Sequence, residues 1–131
     1  MPNRHDDVVR GFAEACQRGD LAALRATLDA DAVAVCDSGG LVRAPLEPVH
    51  GADDVTQLIA ALLSNTEPTV ESVNGRTGLA LRRAGRAVAV LAVEVTDARI
   101  AVLWIVLNPA KLTAWQPRPT PGQRAPSGRS T

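Results

Sequence analysis

The feature that most constrains this chain is a change of apolar period near Thr69. Before it, apolar residues recur every three to four positions; after it, they alternate. Val8, Phe12 and Cys16 follow helical spacing, with Asp6 or Asp7 placed to cap, so a first helix is expected to run to about Arg18. Gly19 suits the end of that helix and Asp20 the N-cap of a second, whose apolar stripe would be Leu21, Leu24 and Leu28. "DAVAVCD" alternates and is β-branched, which predicts a strand ending at Gly39-Gly40. "GADDVTQLIAALLSN" then predicts a third helix with Val55, Leu58, Ile59 and Leu62 on one face.

From Thr69 on, "TVESVNG", "TGLALRRAG", "RAVAVLAVEVTDA" and "RIAVLWIVLNP" read as four strands. They are separated by turn residues at Asn74-Gly75, Gly85 and Asp97-Ala98. Helices first and a meander second predict an α+β domain over residues 1–115: a cone-shaped, curved antiparallel (mixed) sheet packed on three N-terminal helices. Such a cone has an apolar interior, a common place for a ligand. From Gln116, "QPRPTPGQRAPSGRST" lacks large apolar residues and predicts a disordered tail over 116–131.

Composition removes several function classes. The 14 basic residues balance the 14 acidic ones, so the electrostatic footprint of a nucleic-acid binder is missing. All the basic residues except Lys111 are Arg. The N-terminus has no signal-peptide run, and the most apolar stretch, 86–107, is broken by Glu94, Thr96, Asp97 and Arg99. It reads as two buried strands, not a membrane span, and a cytoplasmic location is expected. Cys16 and Cys36 form no metal or redox spacing and read as buried free thiols. His5 and His50 are the only histidines and make no ligand pair, so neither metal nor cofactor is expected.

Five short motifs carry a resemblance. They are Gly19-Asp20-Leu21, Asp37-Ser38-Gly39-Gly40, Pro48-Val49-His50-Gly51, Val73-Asn74-Gly75 and Asn108-Pro109-Ala110-Lys111-Leu112. In this order they resemble the C-terminal domain of certain actinobacterial extracytoplasmic-function sigma factors, within the SnoaL-like, nuclear-transport-factor-2-like superfamily. Ser38 stands where that domain has Gly, and Ala110 where it has Asp. The resemblance implies regulatory contacts through Gly39, Gly40, Asn74, Asn108 and Lys111. The sigma factor's own DNA- and polymerase-binding regions have no counterpart in this sequence.

Asp37-Ser38-Gly39-Gly40 also spells the nucleophile motif of trypsin-like proteases. Those enzymes need a His and an Asp upstream of the serine on a β-barrel, whereas here only His5 lies upstream, in helical sequence; the protease reading fails. Resemblance to ketosteroid isomerase, in the same superfamily, puts Asp37 at the position of a general base. At the mouth of an apolar cone its pKa would be raised. The competing reading is an Asp that accepts from its own turn. The isomerase's Tyr position holds Phe12, and its second donor falls near Val90 or Leu91, so the oxyanion donors are missing.

His50 is the weaker catalytic candidate, a loop-fixing role being favoured. The expected pocket lining is Phe12, Cys16, Val35, Leu58, Leu62, Leu91 and Trp104. Trp104 should share a face with Ile100, Val102 and Val106, where core or sheet-to-sheet dimer packing competes with a ligand platform. Glu94 belongs on the outside or at a dimer contact, and Arg82, Arg83 and Arg86 form a solvated hairpin tip. Two functions follow. The favoured one, over a bland third reading in which the pocket is vestigial, is a cyclase or isomerase of polyketide-like metabolism that binds an apolar small molecule in the cone. The other is a non-catalytic ligand- or partner-sensing domain, and in either case a homodimer through the sheet is expected.

Overall fold

The computed structural model describes residues 4–39 and 47–117. Helix α1 (Arg4–Arg18) buries Val9, Phe12, Ala13 and Cys16, with Asp6 and Asp7 inside its first turn. Gly19 takes φ +66°, and the Asp20 side chain accepts from Ala23 N at 3.0 Å to start α2 (Leu21–Ala26). This second helix is shorter than its apolar stripe suggests. Thr27 closes it, donating through both its hydroxyl and its N–H to Leu24 O, and Leu28 already belongs to β1 (Leu28–Asp37). A β-branched residue that satisfies the last carbonyls ends the helix before the third leucine.

Strand β2 (Val49–His50) is too short to be read from periodicity and pairs antiparallel with β1. Gly51 at φ +95° then turns the chain into α3 (Ala52–Leu63), its N–H held by Ala32 O at 2.8 Å. Four long strands follow: β3 (Glu67–Val73), β4 (Arg76–Arg83), β5 (Arg86–Thr96) and β6 (Arg99–Val106). Their hairpin turns put both central residues at positive φ: Asn74-Gly75, Ala84-Gly85 and Asp97-Ala98. That is the two-residue geometry whose twist matches the strands it joins. The sheet order is β2-β1-β6-β5-β4-β3, with β1 and β6 parallel.

The curved, unclosed sheet has two faces of different character. Its inner face carries Leu28, Ala32, Ala34, Leu79, Leu81, Leu91, Leu103 and Ile105 and packs against Val9, Phe12, Leu24, Val55 and Ile59 of the helices. The outer face carries a smaller cluster of Val73, Ala80, Val90 and Leu112, flanked by Ala92, Val106 and Trp115. Glu94 is exposed on this outer face, opposite Val102. Ile100 departs from the expected alternation. A register irregularity between Glu94 and Val95 lets Ile100 point into the core while Val102, Trp104 and Val106 point out.

At Gly78 the sheet leaves no room for a side chain. A Cβ there would lie 2.5 Å from the Leu91 carbonyl oxygen and 2.8 Å from Val73 Cγ2. Gly78→Ala should cost about 1–3 kcal/mol, since a strand carbonyl cannot move aside. Gly11, in α1 with nothing within 4 Å of an added Cβ, makes the opposite control. There Ala should stabilise by about 0.5–1 kcal/mol through helix propensity. Urea midpoints of the two variants should therefore move in opposite directions from the wild type.

Also on the outer face, Arg82 is not a solvated tip residue. Its Nε and Nη2 donate to the two oxygens of Glu71 at 2.9 and 2.7 Å, and Thr69 donates to the same carboxylate. The Arg82 guanidinium is the main cause holding the Glu71 carboxyl below its usual 4.5; burial opposes the shift and Thr69 adds to it. A carboxylate depressed in the folded state stabilises above its unfolded pKa, and that contribution is lost as pH falls through the folded value. Glu71→Gln should lower stability by about 1–2 kcal/mol at pH 7, the order of a charge-assisted hydrogen bond. Melting curves from pH 7 downward should show the gap closing only below pH 4.5.

Past β6, Asn108 caps a 3-10 turn at Pro109–Lys111, and a second runs over Thr113–Trp115. Gln116, expected to open the tail, is held by the sheet instead. Its side-chain amide accepts from Ala87 N at 2.9 Å and donates to Ala87 O at 3.0 Å. The amide completes the β5 ladder where β6 has ended. Residues 118–131 of the expected tail lie outside the described residues.

Candidate functional site on the outer sheet face

Asp37 ends β1 opposite Val106, on the face away from the helices. Its Oδ1 accepts from Gly39 N at 3.2 Å, and its Oδ2 accepts from Lys111 Nζ at 2.6 Å. The Asp37 carbonyl accepts from Leu107 N at 2.7 Å, tying the end of β1 to the end of β6. The hydrogen bond from Lys111 is the first cause of a pKa held below 3.8, outweighing the opposing desolvation. The direction is opposite to that expected at the mouth of an apolar cone. A strand alternates its side chains, so the register that buries Ala34 and half-buries Cys36 turns Asp37 outward.

The two turns around Asp37 are built for each other. Gly39 takes φ +65°, and a Cβ on it would come within 2.6 Å of Asn108 Cγ. Only a residue without a side chain lets the Asn108 carboxamide lie there and accept from Ala110 N at 3.1 Å. Residues from the Gly-rich turn and from Asn-Pro-Ala-Lys, about seventy positions apart, thus form one patch. Asn74 and Lys111 line one cavity of about 510 Å³, together with Trp104, Trp115, Val90 and Val106. Of the residues expected to act as a regulatory motif, Gly39 abuts Asn108, Lys111 joins the Gly39 turn through Asp37, and Asn74 borders the same cavity as Lys111. Gly40 lies outside the described residues.

The expected cone lining divides between core and outer face. Phe12 and Leu91 are fully buried and Cys16 nearly so, while Leu58 and Leu62 are half-buried against the same core. Val35 and Trp104 are cross-strand partners on the outer face, with Trp104 48% exposed. The 510 Å³ cavity and another of about 570 Å³ between the β4–β5 hairpin tip and the 3-10 turns are lined by neither Phe12, Cys16, Leu58, Leu62 nor Leu91. Burial pushes the Cys16 thiol up to about 12, which leaves it an inert core group. His50 is an exposed β2 residue paired with Val33, remote in register from Asp37. Among the described residues, no group of three or more metal-binding side chains occurs and no helix is long and apolar enough to cross a membrane.

His5 drew no role from the sequence beyond its failure to make a metal pair or to serve the protease motif. It is buried, and its Nε2 lies 2.9 Å from Thr77 O, tying α1 to β4. The cavity was equally illegible, because it depends on the chain returning after β6 to bring Trp115 to the cavity that Trp104 lines.

No protein-family profile matches the chain. The chain is 30% identical over 141 residues to the ECF RNA polymerase sigma factor SigJ of Mycobacterium tuberculosis, covering 95% of this chain. The crystal structure of SigJ superposes with a TM-score of 0.66 at 26% identity, over 86% of this chain and 45% of SigJ. The chain has the SnoaL-like, nuclear-transport-factor-2-like fold. A nuclear-transport-factor-2-like protein of Cytophaga hutchinsonii gives 0.61 at 13% identity, over 86% of this chain and 96% of that one. An LEH-like epoxide hydrolase of M. tuberculosis gives 0.53 at 19% identity, over 85% and 87% of the two chains. These last two likenesses concern the fold. The chain spans 44% of the curated SigJ sequence, less than half of that protein.

Proposed function

We propose that this chain is a non-catalytic binding module, related to the C-terminal domain of SigJ, that engages sigma-factor or polymerase surfaces through its outer patch. The observation that carries this reading is the convergence of Asp37, Gly39, Asn108 and Lys111. Motifs that resemble the sigma-factor domain are dispersed in sequence, yet they lock into one solvent-facing unit. A cytoplasmic location accords with such a partner. The acid–base geometry of a cyclase or isomerase receives less support. Its base would be Asp37, whose carboxylate is already ion-paired and whose pKa is lowered, and Phe12 offers no hydroxyl to an oxyanion.

Binding decides between the readings. RNA polymerase reconstituted with SigJ lacking its own C-terminal domain should bind the purified chain in biolayer interferometry, and Lys111→Glu should weaken that binding at least tenfold. Charge reversal places two carboxylates together and forces the patch apart. No binding by the wild type, or equal binding by Lys111→Glu, would refute the proposal. Turnover of an apolar polyketide-like substrate that is lost in Asp37→Asn would establish the enzyme in its place.

A further inference from the structure

The chain has two Trp, one Phe and no Tyr in 131 residues. Phe12 fills the core, while both tryptophans line the same outer-face cavity. Trp104 stands mid-strand on β6, 48% exposed, with Ala92 and Val35 as its cross-strand neighbours. A small residue on one side and a β-branched one on the other leave an indole face uncovered. Trp115 also lines the cavity, its Nε1 donating to Ser72 O at 3.3 Å. Val90 and Val106 add to its apolar lining. The volume of about 510 Å³ lies in the range of small-molecule sites, and aromatic walls with a few placed polar groups are their usual lining.

The polar end of the cavity narrows the chemistry. Asn74 and Lys111 stand there, and Lys111 is the chain's only lysine. One of its N–H groups holds Asp37, leaving further donors on the same ammonium. Because Asp37 neutralises it, the pair offers hydrogen bonds without net charge. Such an end suits a neutral acceptor better than a carboxylate, which would have to compete with Asp37.

We propose that this cavity binds a flat, uncharged aromatic molecule of two or three fused rings bearing a carbonyl oxygen. The rings would lie against Trp104 and the oxygen would accept from Lys111 Nζ. This site does not depend on the sigma-factor reading, and its test uses the chain alone.

The probe is 9-fluorenone, with fluorene as the same ring system lacking the oxygen. The two indole N–H signals of the ¹⁵N-labelled chain report the site separately. Both should shift saturably with 9-fluorenone, which should bind at least fivefold more tightly than fluorene. Trp104→Ala, a change at an exposed position, should weaken 9-fluorenone at least tenfold while circular dichroism stays unchanged. Lys111→Met should keep fluorene binding and abolish the preference for 9-fluorenone. The proposal is overturned if neither signal shifts up to the solubility limit, or if Trp104→Ala binds as well as wild type. It also fails if the ketone has no advantage over fluorene in the wild type. Sedimentation at twice 13.7 kDa together with no probe binding would overturn it as well, assigning the face to a second copy of the chain.

Discussion

Truncating Phe12 to Ala is expected to lower stability by about 3–5 kcal/mol, a large share of the roughly 5–15 kcal/mol that holds a domain of this kind. Phe12 is fully buried where α1 meets the inner sheet face, within the same core as Leu24, Leu79 and Leu91. Removing the ring loses its transfer free energy and leaves a void bounded by strands that cannot follow it inward. The check is the urea midpoint, which should fall with little change in slope. A cost near 1 kcal/mol would mean that the ring already borders open space, and would favour the cone-pocket reading. Phe12→Leu should recover most of the loss, since the space requires volume and no hydroxyl.

Gly39→Ala should have the second large effect, through two causes that add. The residue sits at φ +65°, where a side chain costs about 1–2 kcal/mol. The new methyl would also meet Asn108 at 2.6 Å and push its carboxamide off the Ala110 N–H. Gly75 provides the comparison: its φ is +80°, but nothing lies within 4 Å of an added Cβ. Gly75→Ala should therefore cost only the backbone term. Gly39→Ala should cost about 1–3 kcal/mol more than that, as overpacking does. The same variant should release Lys111 from Asp37, visible as a change in the amine signals of the chain's only lysine. Equal costs at the two glycines would show that the turns do not interlock.

Much of the fold was legible because its signals are local. The Gly19-Asp20 break, the alternation of β3 to β6 and the three two-residue turns each need only neighbouring residues to be read. What failed was governed mostly by partners distant in sequence. Leu28 looks helical until Thr27 closes the helix and β6 offers a parallel ladder. Ile100 switches face because an irregularity in the β5–β6 pairing shifts its phase. Arg82 looks like a hairpin tip until Glu71 is seen across the strand, and Gln116 looks like tail until it finds Ala87.

The candidate site divides in the same way. The motif strings named Gly39, Asn74, Asn108 and Lys111, but not their convergence on the outer face. For Asp37 the decisive fact was strand phase. One residue along, the carboxylate would have faced the helices; where it stands, it meets the ammonium of Lys111 instead.

That ion pair is the centre of the account, and Asp37 can be titrated directly. Following its side-chain carboxyl carbon by NMR as pH is lowered should give a midpoint below the ordinary 3.8, with Lys111→Met returning it toward that value. Folded below unfolded is the sign of a carboxylate stabilised by its partner, so this contribution to stability is lost as pH falls through the folded midpoint. A midpoint above 3.8 that does not respond to Lys111→Met would contradict the account, since it would describe a desolvated carboxylate poised to take a proton.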